Sequence, residues 1–154
     1  VHEAFMREAL RLALASASTD GGPFGAVIVK EGRIIGRGQN SVVRELDPSA
    51  HAEIVAIRAA CRALADYRLR GCVLYASCEP CPMCLGAIYW ARIDRVYYAA
   101  TRVQAAAVGF DDAVLYAELA KPSVERKLPV LRLVSEAGEA PFQRWADNPH
   151  RIPY

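Results

Sequence analysis

Hydrophobic positions along this chain change period several times, and each change marks an element. Phe5, Ala9, Leu12 and Ala13 recur three or four residues apart, with Met6, Leu10 and Leu14 widening the stripe, so residues 2 to about 18 read as an amphipathic helix. Asp20-Gly21-Gly22-Pro23 breaks it. Phe24 to Lys30 and Arg33 to Gly38 are short runs rich in apolar and β-branched residues, and Glu31-Gly32 between them predicts an antiparallel hairpin. Asn40 to Arg44 reads as the exit from the second strand. Asp47-Pro48 predicts a helix start, with Asp47 as N-cap, and Ile54, Ile57, Cys61 and Leu64 carry helical spacing on to about Asp66. Cys72 to Ser77 is a continuous apolar run, as in a buried strand. A helix from Pro82 to about Arg92, a strand over Arg95 to Ala100, a helix over Asp112 to Ala120 and a fifth strand over Leu128 to Val134 follow. Beyond Gly138 no strand or core-helix pattern is visible.

The alternating second half predicts parallel strands with crossover helices, hence an α/β fold. The expected architecture is three-layer α/β/α, a five-stranded mixed sheet with helices on both faces. At 154 residues the chain reads as one domain, 1–154, with a tail over about 138–154. With 53% hydrophobic and 23% charged residues it reads as a soluble globular protein rather than a disordered one. No apolar run approaches the ~18 residues of a membrane span, and Val1-His2-Glu3 does not resemble a signal-peptide start. Five cysteines, three of them clustered, point to a reducing interior and a cytoplasmic location rather than a disulfide scaffold. A net charge of +2 gives nucleic acid no electrostatic case.

The chemistry concentrates in Cys78-Glu79-Pro80-Cys81-Pro82-Met83-Cys84. Pro82 suits the first turn of a helix, which puts Cys81 at the N-cap and Cys84 three residues on. Both sulfurs then reach one point beyond the helix N-terminus, where the dipole favours thiolates, the form that binds metal. Two thiolates do not close a zinc site, and an imidazole stands thirty residues upstream in His51-Ala52-Glu53. Together these match H-x-E…P-C-x-x-C, the pattern of zinc deaminases. His51, Cys81 and Cys84 leave a fourth position for water, whose pKa a zinc lowers towards ~7. Glu53, close to the metal without binding it, suits a proton shuttle. His51 and Glu53, two apart, would diverge on a regular helix, an objection that weakens at a first turn.

Other readings of the same residues stay open. Cys78, Cys81 and Cys84 form a C-x-x-C-x-x-C run, as in iron–sulfur proteins, which would leave His51 and Glu53 unexplained. A zinc-stabilised interaction module without turnover would be expected to close its metal with four protein ligands. Cys61 and Cys72 read as packing residues, and Cys78 as a neighbour of the metal rather than a ligand. Glu79 is either a solvated charge or a brace for the loop.

Pro23-Phe24-Gly25-Ala26-Val27-Ile28-Val29, Gly38-Gln39-Asn40, Asp47-Pro48 and the run from Ser77 to Arg92 resemble the cytidine deaminase-like superfamily. Within it, that last run and Ala107-Val108-Gly109-Phe110-Asp111-Asp112 resemble bacterial guanine deaminases, over nearly the whole chain to Tyr154. The resemblance implies hydrolysis of guanine at C2 to xanthine and ammonia, one Zn2+ per chain, and a homodimer, with C-terminal exchange as one form of it. It implies that His51, Cys81 and Cys84 bind zinc and that Glu53 shuttles protons. Phe24 would line the purine face, Asn40 would hydrogen-bond its edge, and the Ala52 N–H would donate to the ring. Asp112 would recognise the amino or N1 side and help the leaving amine. Trp90 would wall the pocket, and Tyr154 would close over the base, in its own chain or from the partner subunit. Phe24 and Trp90 read equally as core aromatics, and Asp112 as a helix cap. Transfer-RNA adenosine deaminases share the HAE and PCPMC segments but usually carry Leu in place of Cys78 and need a basic face. From Lys121 to Tyr154 there are six basic residues against four acidic, which is no basic tail. Cytidine-type deamination is the remaining alternative of the same chemistry.

Overall fold

The computed structural model describes residues 1–133 and 136–154, which divide into two compact units, Val1–Asp112 and Ala113–Tyr154. The first unit carries α1 (His2–Ala17), β1 (Gly25–Lys30), β2 (Arg33–Gln39), α2 (Val42–Glu45), α3 (Ala52–Leu64), β3 (Cys72–Cys78), α4 (Pro82–Trp90), β4 (Arg95–Ala100) and α5 (Arg102–Ala106). Its strands lie in the order β2-β1-β3-β4. β1 is antiparallel to both neighbours, while β3 and β4, joined through α4, are parallel, so the sheet is mixed. The predicted hairpin is present, with Glu31 and Gly32 both at positive φ (49° and 73°), the backbone a two-residue turn requires.

Strand alternation sorts the core onto two faces. Ala26, Ile28, Leu74 and Ala76 face α3 and α4, where Ala52, Ala56, Ala60, Ile88 and Ala91 are buried. Val27, Val29 and Tyr75 face α1, meeting Ala9 with Phe5, Met6 and Leu12 around it. Leu10 and Leu14, expected to widen the buried stripe, are 38% and 70% exposed.

The face that α3 turns to the sheet differs from the expected one. Ala52, Ala56 and Ala60 are fully buried, whereas Ile57, Cys61 and Leu64 are only partly covered at its side. Glycines on β2 explain this. A Cβ on Gly36 would sit 2.5 Å from the Ala56 carbonyl oxygen, and one on Gly38 would meet the Ala52 carbonyl oxygen and lie 2.6 Å from the Ala56 nitrogen. Only small residues on both sides allow that approach.

The start of α3 also corrects the sequence reading. Asp47 does not cap it: its Oδ1 accepts from the Ser49 N–H at 2.8 Å and the Ser49 hydroxyl at 2.7 Å, closing a local turn. An aspartate that bonds its own i+2 amide is no longer available as a cap. The helix begins five residues later, with His51 at the N-cap. α2 and α5 are further elements that the pattern did not reveal, although Thr101 and Gln104 form a capping box on α5.

The second unit contains α6 (Ala113–Leu119), 3-10 turns at Ser123–Glu125 and Ala137–Glu139, and α7 (Ala140–Asp147). The expected fifth strand is not found: residues 128–133 are not in a strand, and Val134 lies outside the described residues. Leu128, Val130, Leu131 and Leu133 are 49% or more exposed, and Pro129 removes a ladder donor, so apolar propensity alone did not make a strand. The sheet of the described residues therefore has four strands rather than five. α7 went unrecognised even though Pro141 occupies its first turn.

Gly38→Ala should destabilise the chain by about 1–3 kcal/mol, the usual scale of overpacking, and weaken metal retention because Ala52 sits between His51 and Glu53. Urea denaturation with metal analysis checks this; a variant as stable as the parent would disprove the close-approach account.

Candidate metal and catalytic site

Two helix N-termini converge at the carboxyl end of β3. His51 is the N-cap of α3 (φ −67°, ψ 156°) and Cys81 the N-cap of α4 (φ −69°, ψ 168°), both in extended backbone. The carbonyl of each begins its helix, accepting from Val55 at 3.0 Å and Leu85 at 2.8 Å. Neither side chain makes a capping bond. They turn instead towards each other and towards Cys84, and extended backbone at His51 removes the objection that residues 51 and 53 must diverge.

His51 Nδ1 lies 3.6 Å from Cys81 Sγ and 3.5 Å from Cys84 Sγ. The three donor atoms all fall within 4.8 Å of one another, the metal-ligand group found among the described residues. Bonds of ~2.3 Å to sulfur and ~2.0 Å to nitrogen around a tetrahedral zinc require N···S separations of about 3.6 Å, so the donors fit the ion. Cys78 stands outside the group, its Sγ directed at the Thr101 carbonyl at 3.7 Å. Cys72 is buried in the core and Cys61 packs against it.

The two ligand sulfurs hold their protons unequally. Cys81 is pushed down to about 4, first by the hydrogen bond from Cys84, with burial opposing and His51 adding to the fall. Cys84 is pushed up by the same bond and by burial. A divalent cation displaces the remaining proton, because metal binding requires both thiolates.

Glu53, second residue of α3, is 8% exposed and receives the Cys84 thiol at Oε2, 3.4 Å away. Burial raises its pKa, the bias needed by a carboxylate that must accept a proton during reaction. It lies beside the three donors without belonging to them.

The substrate-side residues are placed by α1 and the loops. The buried Ser16 hydroxyl reaches the Gly22 carbonyl at 2.7 Å and the Asn40 carbonyl at 3.3 Å. Asn40 donates its backbone N–H to Phe24 at 3.1 Å, and its Oδ1 accepts from Gly22 and Val42 at 3.4 and 3.3 Å. With that oxygen committed, its NH2 is the group left to meet a ligand. Phe24 packs beside the cluster that contains Ala52, whose N–H is one of the first-turn amides lacking an intrahelical acceptor. Asp112 is half-buried. Burial and then Glu53 raise the Cys78 pKa, a backbone hydrogen bond at Glu79 opposes the rise and the Asp112 charge adds a smaller part, so Glu53 and Asp112 lie within electrostatic reach of one cysteine.

Trp90 is not brought to this group within the chain: it ends α4, about 13 Å along the axis from Cys81, and is 64% exposed. Tyr154 belongs to the second unit and is 78% exposed. Glu79, open from sequence between a solvated charge and a brace, accepts the Arg102 N–H at 3.1 Å and so braces the start of α5. One feature was missed from sequence. Phe110 meets Phe24 edge to face, centroids 4.9 Å apart.

Purified protein should carry about one zinc per chain on one nitrogen and two sulfur donors, and be colourless. Cys81→Ala should lose the metal and lower the melting temperature, as metal analysis and calorimetry would show. Brown protein containing iron and sulfide would overturn the assignment.

This arrangement has relatives. Residues 1–100 match the cytidine and deoxycytidylate deaminase zinc-binding region. The chain is 51% identical over 154 residues to the guanine deaminase of Bacillus subtilis strain 168, covering 99% of each. It superposes on the crystal structure of guanine deaminase from Bacillus subtilis with a TM-score of 0.98 at 50% identity, covering 100% of this chain and 99% of that one. It is also 47% identical to the tRNA-specific adenosine deaminase of Aquifex aeolicus, over 98 residues that cover 64% of this chain and 65% of that protein. The α/β fold is thus the cytidine deaminase-like one, and His51, Cys81 and Cys84 lie within the matched zinc-binding region as a group placed to hold a metal ion. The chain belongs to the cytidine and deoxycytidylate deaminase family of zinc enzymes.

Proposed function

We propose that this protein hydrolyses guanine to xanthine and ammonia. The observation that carries the chemistry is the buried Glu53 carboxyl against a group of only three metal donors. His51, Cys81 and Cys84 would hold a zinc ion, which would supply a water of lowered pKa. Glu53 takes that water's proton and passes it to the ring nitrogen as C2 becomes tetrahedral. It then takes the proton of the new C2 hydroxyl and delivers it to the amino group; the C2–N bond breaks, ammonia leaves, and the oxygen stays on C2 as a carbonyl. The Ala52 N–H and the Asn40 NH2 meet ring acceptors, and Phe24 lies against the ring face.

Zinc and Glu53 serve any amidine carbon, so selection falls to the groups that read the donor and acceptor pattern beside that carbon. Guanine presents N–H donors at N1 and N2, which suit the acceptor-only carboxylate of Asp112. Adenine's unprotonated N1 would face that carboxylate acceptor to acceptor, a mismatch that discriminates strongly in a dry site. The full-length similarity to a guanine deaminase supports this reading, whereas the tRNA-specific relative is matched over about two thirds of the chain.

The protein is further read as a homodimer of single deaminase domains, 1–154, in the cytoplasm, with Tyr154 closing over the base. The apolar α4 leaves Leu85 40%, Tyr89 73% and Trp90 64% exposed, which supports a second copy on that face and would give Trp90 a role as a pocket wall there. The separate compactness of Ala113–Tyr154, with its exposed leucines, supports C-terminal exchange between copies. For location, the support is five free cysteines and, among the described residues, no helix long and apolar enough to cross a membrane.

Ammonia release from guanine, guanosine, adenine, cytosine and cytidine tests the substrate. Guanine should dominate; Glu53→Gln should keep zinc while losing about 10²–10⁴-fold in kcat, and Asp112→Ala should cut guanine turnover with zinc content unchanged. Parent-like rates in both variants would move the shuttle and the specificity elsewhere. Sedimentation should give a two-chain mass, and deleting Tyr154 should lower activity without lowering the melting temperature; a monomeric, fully active truncated chain would refute that arrangement.

A further inference from the structure

Phe110 neither holds zinc nor moves a proton, yet the chain is built to place it. β4 ends at Ala100, and Thr101 caps α5: its N–H donates to Gln104 Oε1 at 2.9 Å while its hydroxyl accepts from the Gln104 N–H at 3.3 Å. Glu79, inside the cysteine loop, accepts the Arg102 N–H and donates its own N–H to the Ala100 carbonyl at 2.8 Å. The start of α5 is therefore tied to the loop that carries Cys81. After α5 the chain reverses at Gly109, whose φ of 98° strains any residue with a Cβ. Gly109 and Phe110 donate their N–H groups to Ala106 and Ala105, each at 3.0 Å. The Phe110 ring lands on Phe24 at an interplanar angle of 87° and is still 45% exposed.

We propose that Phe110 is a substrate-positioning residue, forming with Phe24 an aromatic corner that receives the flat heterocycle. The inference rests on the deaminase reading above and adds a residue to it. Two rings at right angles offer a planar base a face to stack on and an edge to abut, both favourable orientations for π systems. Stacking tolerates any base, so the corner supplies affinity and orientation while the choice of base stays with hydrogen-bonding groups. Phe110 stands two residues before Asp112, and one left-handed turn thus delivers the ring and the carboxylate together. An exposed phenylalanine that served only to cover Phe24 would be replaceable by any apolar side chain of similar bulk.

The test uses the zinc-loaded full chain as parent, Phe110→Leu, Phe110→Tyr and Phe110→Trp, with KM, kcat, zinc content and melting temperature measured for each. Losing a base–aromatic contact costs roughly five- to hundredfold in affinity, so Phe110→Leu should raise the guanine KM about tenfold with kcat within about twofold and zinc unchanged. Phe110→Tyr should restore the parent KM, and Phe110→Trp should move KM without moving the melting temperature. If the leucine variant is unstable, the tyrosine and tryptophan variants carry the comparison. An unmoved KM across leucine and tryptophan, in a parent that deaminates guanine, overturns the corner and leaves the proposed function standing. A parent that deaminates another base of the panel instead refutes the guanine assignment, and the same comparison is then read with that base. A parent that deaminates none of them overturns both.

Discussion

The close approach of α3 to β2 is the constraint on which the site depends. Alanines on the helix meet Gly36 and Gly38 on the strand with no room for a methyl between them. Contact of this kind is backbone against backbone, so it cannot be relieved by a change of rotamer. Ala52 is the residue held at Gly38, and the two groups that do chemistry, His51 and Glu53, flank it. The other face repeats the device: a Cβ on Gly25 would meet the Ala9 carbonyl oxygen and lie 2.5 Å from the Ala13 nitrogen. That contact seats α1 so that Ser16 reaches the loops carrying Phe24 and Asn40.

The site is formed at a cost to the helices that frame it. An N-cap side chain commonly contributes ~1 kcal/mol by satisfying first-turn N–H groups, and here both N-cap side chains are turned away to face each other. Uncapped amides and the positive end of the α4 dipole favour thiolate at Cys81, while Cys84 keeps its proton until a metal displaces it. Burial meanwhile raises the Glu53 carboxyl, so one anionic sulfur, at Cys81, and a proton-accepting acid coexist within the same site. Metal binding settles the charge among these groups, which couples zinc to folding as well as to chemistry.

Much of this was legible from spacing alone. Pro82 and the three-residue interval between Cys81 and Cys84 specify a helix-start chelate because helical geometry is local, and the structure places both sulfurs with His51 as that geometry requires. The hairpin at Glu31-Gly32 and the buried run from Cys72 to Ser77, one residue short of the end of β3, were equally readable. The misreadings share a cause. Asp47 carries a strong cap signal but found a nearer partner in Ser49. Residues 128–133 have strand composition, yet a strand exists only where another pairs with it.

By itself, then, the sequence determined the donor set, its position at two helix starts and the α/β alternation, since each follows from periodicities of a few residues. Tertiary structure decided which helical face is buried, because Gly36 and Gly38 admit alanine where hydrophobicity alone favoured isoleucine. It decided that Glu79 ties the cysteine loop to α5, and that Phe110 rests on Phe24 across eighty-six residues of chain. Contacts so distant in sequence leave no periodic trace; they arise only when the sheet brings its loops to one edge.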